Sequence, residues 1–260
     1  RRADALRLSK IVAGQSNDSL QRIPGIARRR METLPAAAMV LEALIRVIEP
    51  QSLTFSGFGM REGQLLEILP DKLREQDTLI DACKSYSERV GRFAIRGGEI
   101  LEWMNPLFDD ESNAERRLRL AACLLSDIGW SEHPDYRAEH AFHRVLRVPF
   151  AGLTHPNRVL LAEAVYVRYN GDPDSKLVSP VRSLLDPGQQ AWVQVVGLAL
   201  RLAHTLSGSA PGRLEQTRLK VSDSKLTLVV PKDSELFISE TVERRLKTLA
   251  RSLGLKGATG

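Results

Sequence analysis

From Leu53 to Gly63 the chain reads Leu-Thr-Phe-Ser-Gly-Phe-Gly-Met-Arg-Glu-Gly: a short apolar run, two closely spaced glycines, then the first turn of a helical pattern. This order predicts a strand, a tight loop and a helix start. Just before it, Met39, Leu41, Leu44, Ile45 and Ile48 recur at helical spacing within Ala36 to Ile48, and Pro50 stops that helix. An apolar strand fed by a helix is the closing half of a crossover unit, which needs parallel neighbours in a sheet covered on both faces. Arg1 to Pro50 supplies none: Asp4 to Val12 and Ala36 to Ile48 read as helix, and the rest is polar and basic. The expectation is a sheet completed by chain outside these residues, and a first residue that is Arg rather than Met accords with an incomplete protein.

Past Asp71 the pattern changes. Leu79 to Val90, Ile95 to Leu107, Ala114 to Trp130, Ala138 to Leu146, Pro156 to Tyr169 and Gln189 to Leu206 carry apolar residues three and four apart, separated by polar or Pro/Gly turns. This predicts a helical bundle. A linker, Ser207-Gly208-Ser209-Ala210-Pro211-Gly212, leads to two β-like runs, Arg218 to Val221 and Lys225 to Val230, around a hairpin turn at Ser222-Asp223-Ser224. Glu235 to Leu253 then reads as one amphipathic helix, followed by a short Gly-Ala-Thr-Gly tail. The predicted class is mainly α with α/β parts, divided at 1–70, 71–207 and 208–260.

Composition narrows the function classes. The chain of 260 residues is 43% hydrophobic, and no apolar run approaches the roughly 20 residues of a membrane span. Cys83 and Cys123 lie in separate helical patterns without Cys-x-x-Cys spacing, which argues against a disulfide framework or zinc ribbon and for a reducing cytoplasm. A formal charge of +5 favours anionic partners. Aromatic residues are only 5% and do not interleave with the basic clusters, so neither a single-stranded stacking surface nor a DNA partner is expected.

Two segments carry candidate chemistry. Arg28, Arg29 and Arg30 follow a Pro24-Gly25 turn and concentrate bidentate donors suited to phosphate oxygens, although a solvated basic face reads equally well. Gly57 and Gly59 permit positive φ or close backbone approach, as in phosphate-cradling loops, and Arg61 opens the next helix against its dipole while Glu62 suits it. The second segment, Leu124 to His143, gathers Asp127, His133, Asp135, His140 and His143. A metal centre would need such ligands to converge from two or more helices. Ser126 before Asp127 is a poor divalent ligand, so capping, turn and surface roles are expected and no metal ligand is assigned.

Pro24-Gly25 through Arg30, Ser56-Gly57-Phe58-Gly59-Met60-Arg61-Glu62-Gly63, Ala121 through Gly129, His140 and Val167-Arg168-Tyr169 together resemble the second half of the exopolyphosphatase and guanosine pentaphosphate phosphohydrolase family, Ppx/GppA. The resemblance runs collinearly through essentially the whole chain, and Gly-x-Arg-Glu-Gly is its most specific motif. It implies the tail of a second actin-like (ribonuclease-H-like) domain over 1–70, a degenerate HD-like helical domain and a small α/β domain. It further implies a homodimer that releases terminal phosphate from inorganic polyphosphate or pppGpp with Mg²⁺. The catalytic glutamate and phosphate loops would lie upstream of Arg1. Arg30 matches a family anion contact in register, Arg61, Gly57 and Gly59 are the further phosphate-binding candidates, and Asp127 with His140 forms the HD-like remnant. The sequence departs from the family at Pro35-Ala36-Ala37, where a glycine-containing turn is usual, at Ser126, where a His is usual, and at Asn170-Gly171, where His-Arg often follows Val-Arg-Tyr. Two rival readings remain: a non-catalytic anion-binding and dimerisation module, and an HD-type metal phosphohydrolase.

Overall fold

The computed structural model describes residues 1–23, 25–92, 97–231 and 238–259. It divides into two compact units, Arg1–Leu69 and Pro70–Gly260.

In the first unit, α1 (Arg2–Ala13) packs against α3 (Leu34–Ile48), with α2 (Asn17–Gln21) and a 3₁₀ turn (Arg28–Arg30) between them. Pro35 sits in the first turn of α3, where its missing N–H costs nothing, and Glu49 ends the helix in the left-handed region at φ 49°. Ala38 and Ile45 are the buried residues of α3, whereas Met39, Val40, Leu44, Val47 and Ile48 are exposed. The strand expected at Leu53–Phe55 is not formed: the residues run without regular structure up to α4 (Met60–Glu67). A strand exists only as a ladder with a neighbouring edge, and the strands among the described residues all lie between Arg218 and Thr259.

The second unit has the expected helical content, with shifted ends. Its longer helices are α6 (Thr78–Val90), α7 (Gly97–Met104), α8 (Asn113–Leu125), α9 (Arg137–Arg147), α10 (His155–Arg168) and α12 (Pro187–Ser207), joined by the short α5 (Asp71–Arg74) and α11 (Ser179–Arg182). Starts are fixed by side-chain caps: Asp77, Ser112, Thr154 and Asp186 each accept an N–H from the first turn that follows. The helix expected to run to Trp130 stops at Leu125, where Ser126 turns its hydroxyl back onto the Cys123 carbonyl at 2.6 Å. Ile95, Pro24 and the Glu235–Phe237 start expected for the last helix lie outside the described residues.

Strands β1 (Arg218–Ser222) and β2 (Lys225–Val229) form the expected hairpin, with Ser222 opposite Lys225. After α13 (Glu240–Ser252), the residues expected as a tail make a third strand, β3 (Lys256–Thr259), parallel to β2. Leu219, Leu226 and Leu228 of the sheet and Val242, Leu246 and Leu249 of α13 join the same core as the helices. The stretch expected as a linker is tied down as well: the Glu99 carboxylate accepts the Gly212 and Leu214 N–H groups at 3.2 and 3.0 Å, and Trp103 Nε1 donates to Thr217 Oγ1 at 2.9 Å.

The centre of this unit is α10, buried without interruption from Val159 to Val167. Even Glu163 is fully buried. Burial pushes its carboxyl up to about 7 against the pull of Arg182, whose Nη1 donates to Oε2 at 3.2 Å. Helix α12 crosses α10 at Gly197, where a Cβ would stand 2.5 Å from Val167 Cβ and 2.9 Å from the Ala164 carbonyl oxygen. A methyl group there forces the helices apart. Gly197→Ala is therefore expected to lower stability by about 2 kcal/mol, read as an earlier midpoint in urea unfolding; an unchanged midpoint would contradict the close crossing.

Candidate functional site

The predicted site residues fall into separate places. Arg28, Arg29 and Arg30 are all exposed, and no ion pair engages them among the described residues. Thr33 Oγ1 donates to the Arg30 carbonyl at 3.2 Å and holds the turn, leaving the guanidinium to solvent.

In the glycine loop, Ser56 Oγ accepts the Phe58 N–H at 3.0 Å, and the Glu62 carboxylate reaches back to the Gly59 N–H at 2.7 Å. Glu62 is thus the N-terminal clasp of α4, as its favourable place on the dipole predicts. Gly57 and Gly59 do not take positive φ, contrary to the first of their two expected uses; the glycines that do are Gly25, Gly152, Gly208, Gly212 and Gly254. The second use is open to Gly57, since no atom lies within 4 Å of where its Cβ would stand. Arg61 is exposed.

Asp127 and His140 have different partners. His140 Nδ1 lies 3.0 Å from Glu132 Oε2, and its ring stacks on Tyr136 with centroids 6.2 Å apart. Glu132 is held below the usual carboxylate range first by His140 and then by Arg144. Both belong to a surface network on α9, which Arg144 anchors by donating to the Ile128 carbonyl at 3.0 Å.

Asp127 instead sits between two arginines and a histidine. Arg92 grips both its oxygens, Nε to Oδ2 at 3.2 Å and Nη2 to Oδ1 at 3.0 Å. Arg168 Nη2 approaches Oδ1 at 3.4 Å, and His204 Nδ1 at 3.9 Å. Sequence reading missed two of these partners: Arg92 lies 35 residues from Asp127 and His204 lies 77 residues away, so no local motif links them. The available signal was a histidine inside the apolar pattern of α12.

His204 is buried and bridges two hydroxyls, with Nε2 2.8 Å from Ser126 Oγ and Nδ1 2.8 Å from Ser209 Oγ. Ser126 gives its proton to the Cys123 carbonyl, so it accepts from Nε2–H, and in the neutral imidazole Ser209 then donates to Nδ1. Ser209 holds a left-handed backbone, φ 60°, in making this contact. The cavity beside Ser126, Asp127, His204 and Ser209 is about 20 Å³, room for about one water molecule and too small for a phosphate group.

On the other side of Asp127, the Arg168 guanidinium lies over the Tyr169 ring, 4.1 Å from its centroid, and the Tyr169 hydroxyl accepts the Gly129 N–H at 2.9 Å. Burial lowers the Arg168 pKa and raises that of Tyr169. Such a carboxylate, paired to arginines rather than to other metal-type ligands, is an electrostatic lock. Among the described residues no group of three or more His, Cys, Asp or Glu side chains comes together to hold a metal ion.

Asp127→Asn removes the charge that Arg92 and Arg168 share and is expected to destabilise the chain by about 2 kcal/mol in chemical denaturation. A variant as stable as the parent would mean that the arginines do not depend on it.

Comparison with known proteins places the chain. A family model described as "Exopolyphosphatase, C-terminal" matches residues 93–259, and one described as "Ppx/GppA phosphatase family" matches residues 2–72. Similar relatives include the Retrograde regulation protein 2 of Saccharomyces cerevisiae, 28% identical over 179 residues, 67% of this chain and 30% of that protein. The Guanosine-5'-triphosphate,3'-diphosphate pyrophosphatase of Aeromonas salmonicida is 25% identical over 231 residues, 83% of this chain and 44% of that protein. Its namesake from Vibrio cholerae is 26% identical over 223 residues, 80% of this chain and 42% of that protein. The chain spans less than half the length of each of these relatives. With both models collinear along it and the first covering well over half its length, the chain belongs to the Ppx/GppA phosphatase family.

Proposed function

We propose that this chain serves as the C-terminal portion of an exopolyphosphatase or pppGpp phosphohydrolase, binding and guiding an anionic substrate toward a catalytic cleft built from residues outside it. The observation that carries this reading is the exposure of two basic positions in the first unit, Arg30 and, two residues after Gly59, Arg61, with open space at Gly57 of the glycine loop, all in the segment matched to the family. Phosphoryl transfer is catalysed mainly by positioning and charge neutralisation, so basic residues that hold a polyphosphate chain serve the reaction without touching the reacting phosphorus. In this arrangement Arg1–Leu69 is the tail of an actin-like domain. The exposed apolar face of α3, from Met39 to Ile48, is the kind of surface that the sheet of such a domain covers. The helices of 71–207 form an HD-like domain and 208–260 the small α/β part.

The Mg²⁺ that the family implies is not matched by these residues. Asp127 is already neutralised by Arg92 and Arg168, and His140 is engaged by Glu132, so no step is routed through a metal here. Cys83 and Cys123 are no nucleophiles either: burial pushes both thiols up to about 12. Buried free thiols accord with a cytoplasmic protein, and no described helix is long and apolar enough to cross a membrane. The working assembly is a homodimer. A second reading, a non-catalytic anion-binding module, is supported by the same exposed arginines and by a relative whose name refers to regulation.

With Mg²⁺ present, the chain is expected to bind long-chain polyphosphate with an affinity that falls as salt rises, and to release no phosphate from it or from pppGpp. Arg30→Gln and Arg61→Gln should each weaken binding by about tenfold, the worth of one charge-assisted hydrogen bond. Metal-dependent phosphate release by the chain alone would place the chemistry within these residues, and binding indifferent to both substitutions would remove Arg30 and Arg61 from the substrate path.

A further inference from the structure

Glu163 is the only acid of α10, and its side chain is fully buried. Its partners are poor for that depth. Arg182 Nη1 reaches Oε2 at 3.2 Å but lies closer to the Pro173 carbonyl, at 2.8 Å, and Oε1 is buried without a hydrogen-bond partner. Arg119 and Glu111 show the alternative in the same unit. There Nε and Nη2 grip both carboxylate oxygens at 2.7 and 2.6 Å, and Nη1 takes the Leu101 carbonyl at 2.9 Å. A buried ion pair offsets its desolvation only with geometry of that kind. Glu163 lacks it.

Arg182 belongs to a strap, 170–186, that carries the chain from the end of α10 to the start of α12. Asn170 turns the chain into it in the left-handed region, φ 74°, and Val178 and Leu185 are its buried residues. Among the described residues, side chains tie it to α10 by polar contact at two points: Ser175 Oγ on Tyr166 Oη at 3.2 Å, and Arg182 on Glu163. Beside Arg182 lies an open hollow of about 350 Å³, lined also by Pro173, Asp174, Ser179, Ser183 and Gln190. Solvent therefore stands one guanidinium away from a buried carboxyl.

The helices packed on α10 direct their charges elsewhere. On α8, Glu115 binds Ser112, and Arg116, Arg117 and Arg119 are held by Glu102, Asp77 and Glu111. On α9, Glu132 holds His140 and Arg144, His143 lies 3.8 Å from Glu139, Arg137 donates to the Trp130 and Glu132 carbonyls, and Arg147 is exposed. On α12, Arg201 donates to the Val167 carbonyl and His204 bridges Ser126 and Ser209. Within the strap Asp172, Asp174 and Lys176 are exposed, and Asp186 caps α12. Burial first, with Arg182 pulling against it, sets the Glu163 carboxyl, which rises from its ordinary 4.5 to about 7. Between those values the closed strap keeps a proton that the open one releases. Closure is thus fully favoured below the lower value, weakens as pH rises through the window, and falls no further above it.

We infer that Glu163 is a proton-operated latch on the strap 170–186: with the carboxyl neutral the strap closes on α10, and with it ionised the strap lifts and water reaches Oε1. The proton leaves to solvent, and the hollow beside Arg182 is the path by which water enters. The device is built wholly from residues of Pro70–Gly260 and is independent of the reading of Arg30 and Arg61.

Hydrogen exchange of the full chain, followed by mass spectrometry from about pH 5 to about pH 8 and corrected for the intrinsic rate at each pH, tests the latch. Protection of the strap is expected to fall by about tenfold or more across that range. At the upper end the strap should exchange ahead of 159–167 in α10; equal protection of the two would make the titration a property of the whole fold and overturn the latch. Glu163→Gln, neutral at every pH, should flatten the profile while leaving every histidine in place. Arg182→Met removes the pull that opposes burial and should carry the fall on to higher pH. Should Glu163→Gln fail to fold, the parent profile and its displacement in Arg182→Met still decide. A flat profile in the parent, the same fall in Glu163→Gln, or an Arg182→Met profile that ends where the parent's does overturns the proposal.

Discussion

Everything around Asp127 depends on how closely α12 crosses α10. The missing side chain at Gly197 lets the two backbones meet, with the Gly197 position 2.9 Å from the Ala164 carbonyl oxygen if a Cβ is placed there. Gly197, Arg201 and His204 are four and three residues apart and therefore share one stripe of α12. Once the first is pressed on Val167, the second is delivered to the Val167 carbonyl and the third to Ser126 at the end of α8. One close contact thus sets the register for a buried histidine and for Arg201 at the end of α10.

Electrostatics then decides what that cluster can do. A lone carboxylate near a buried imidazole could have belonged to a cation site, but Arg92 and Arg168 reach it first, and the adjoining space holds no more than about one water molecule. The local balance is an excess of positive charge. Among the described residues no group of three or more His, Cys, Asp or Glu side chains gathers to offset it.

The helices of the second unit were legible because their apolar residues keep a period near 3.6 and their starts carry Asp, Ser or Thr caps. The hairpin was legible from its Ser-Asp-Ser turn. Strand β3 was not: Lys-Gly-Ala-Thr has no alternation, and it is ordered by β2 across a helix rather than by its own propensity. Leu53–Phe55 erred the other way, since an apolar run records a wish for burial and not the presence of a partner strand. Asp127 and His140, paired as what the family resemblance implies, have separate partners. The chain turns at Ser126 and again before Arg137, so the histidine that reaches Asp127 comes from α12, 77 residues on. Arg30 and Arg61 were legible only as basic residues in a recognisable motif; their exposure was learned from the fold.

The most direct test of this account is a crystal structure of the chain soaked with Mn²⁺ and read by anomalous scattering. The account predicts Asp127 still clasped by Arg92 and Arg168, with no manganese peak beside it. A manganese ion coordinated by Asp127 and His204, with the arginines swung away, would contradict it.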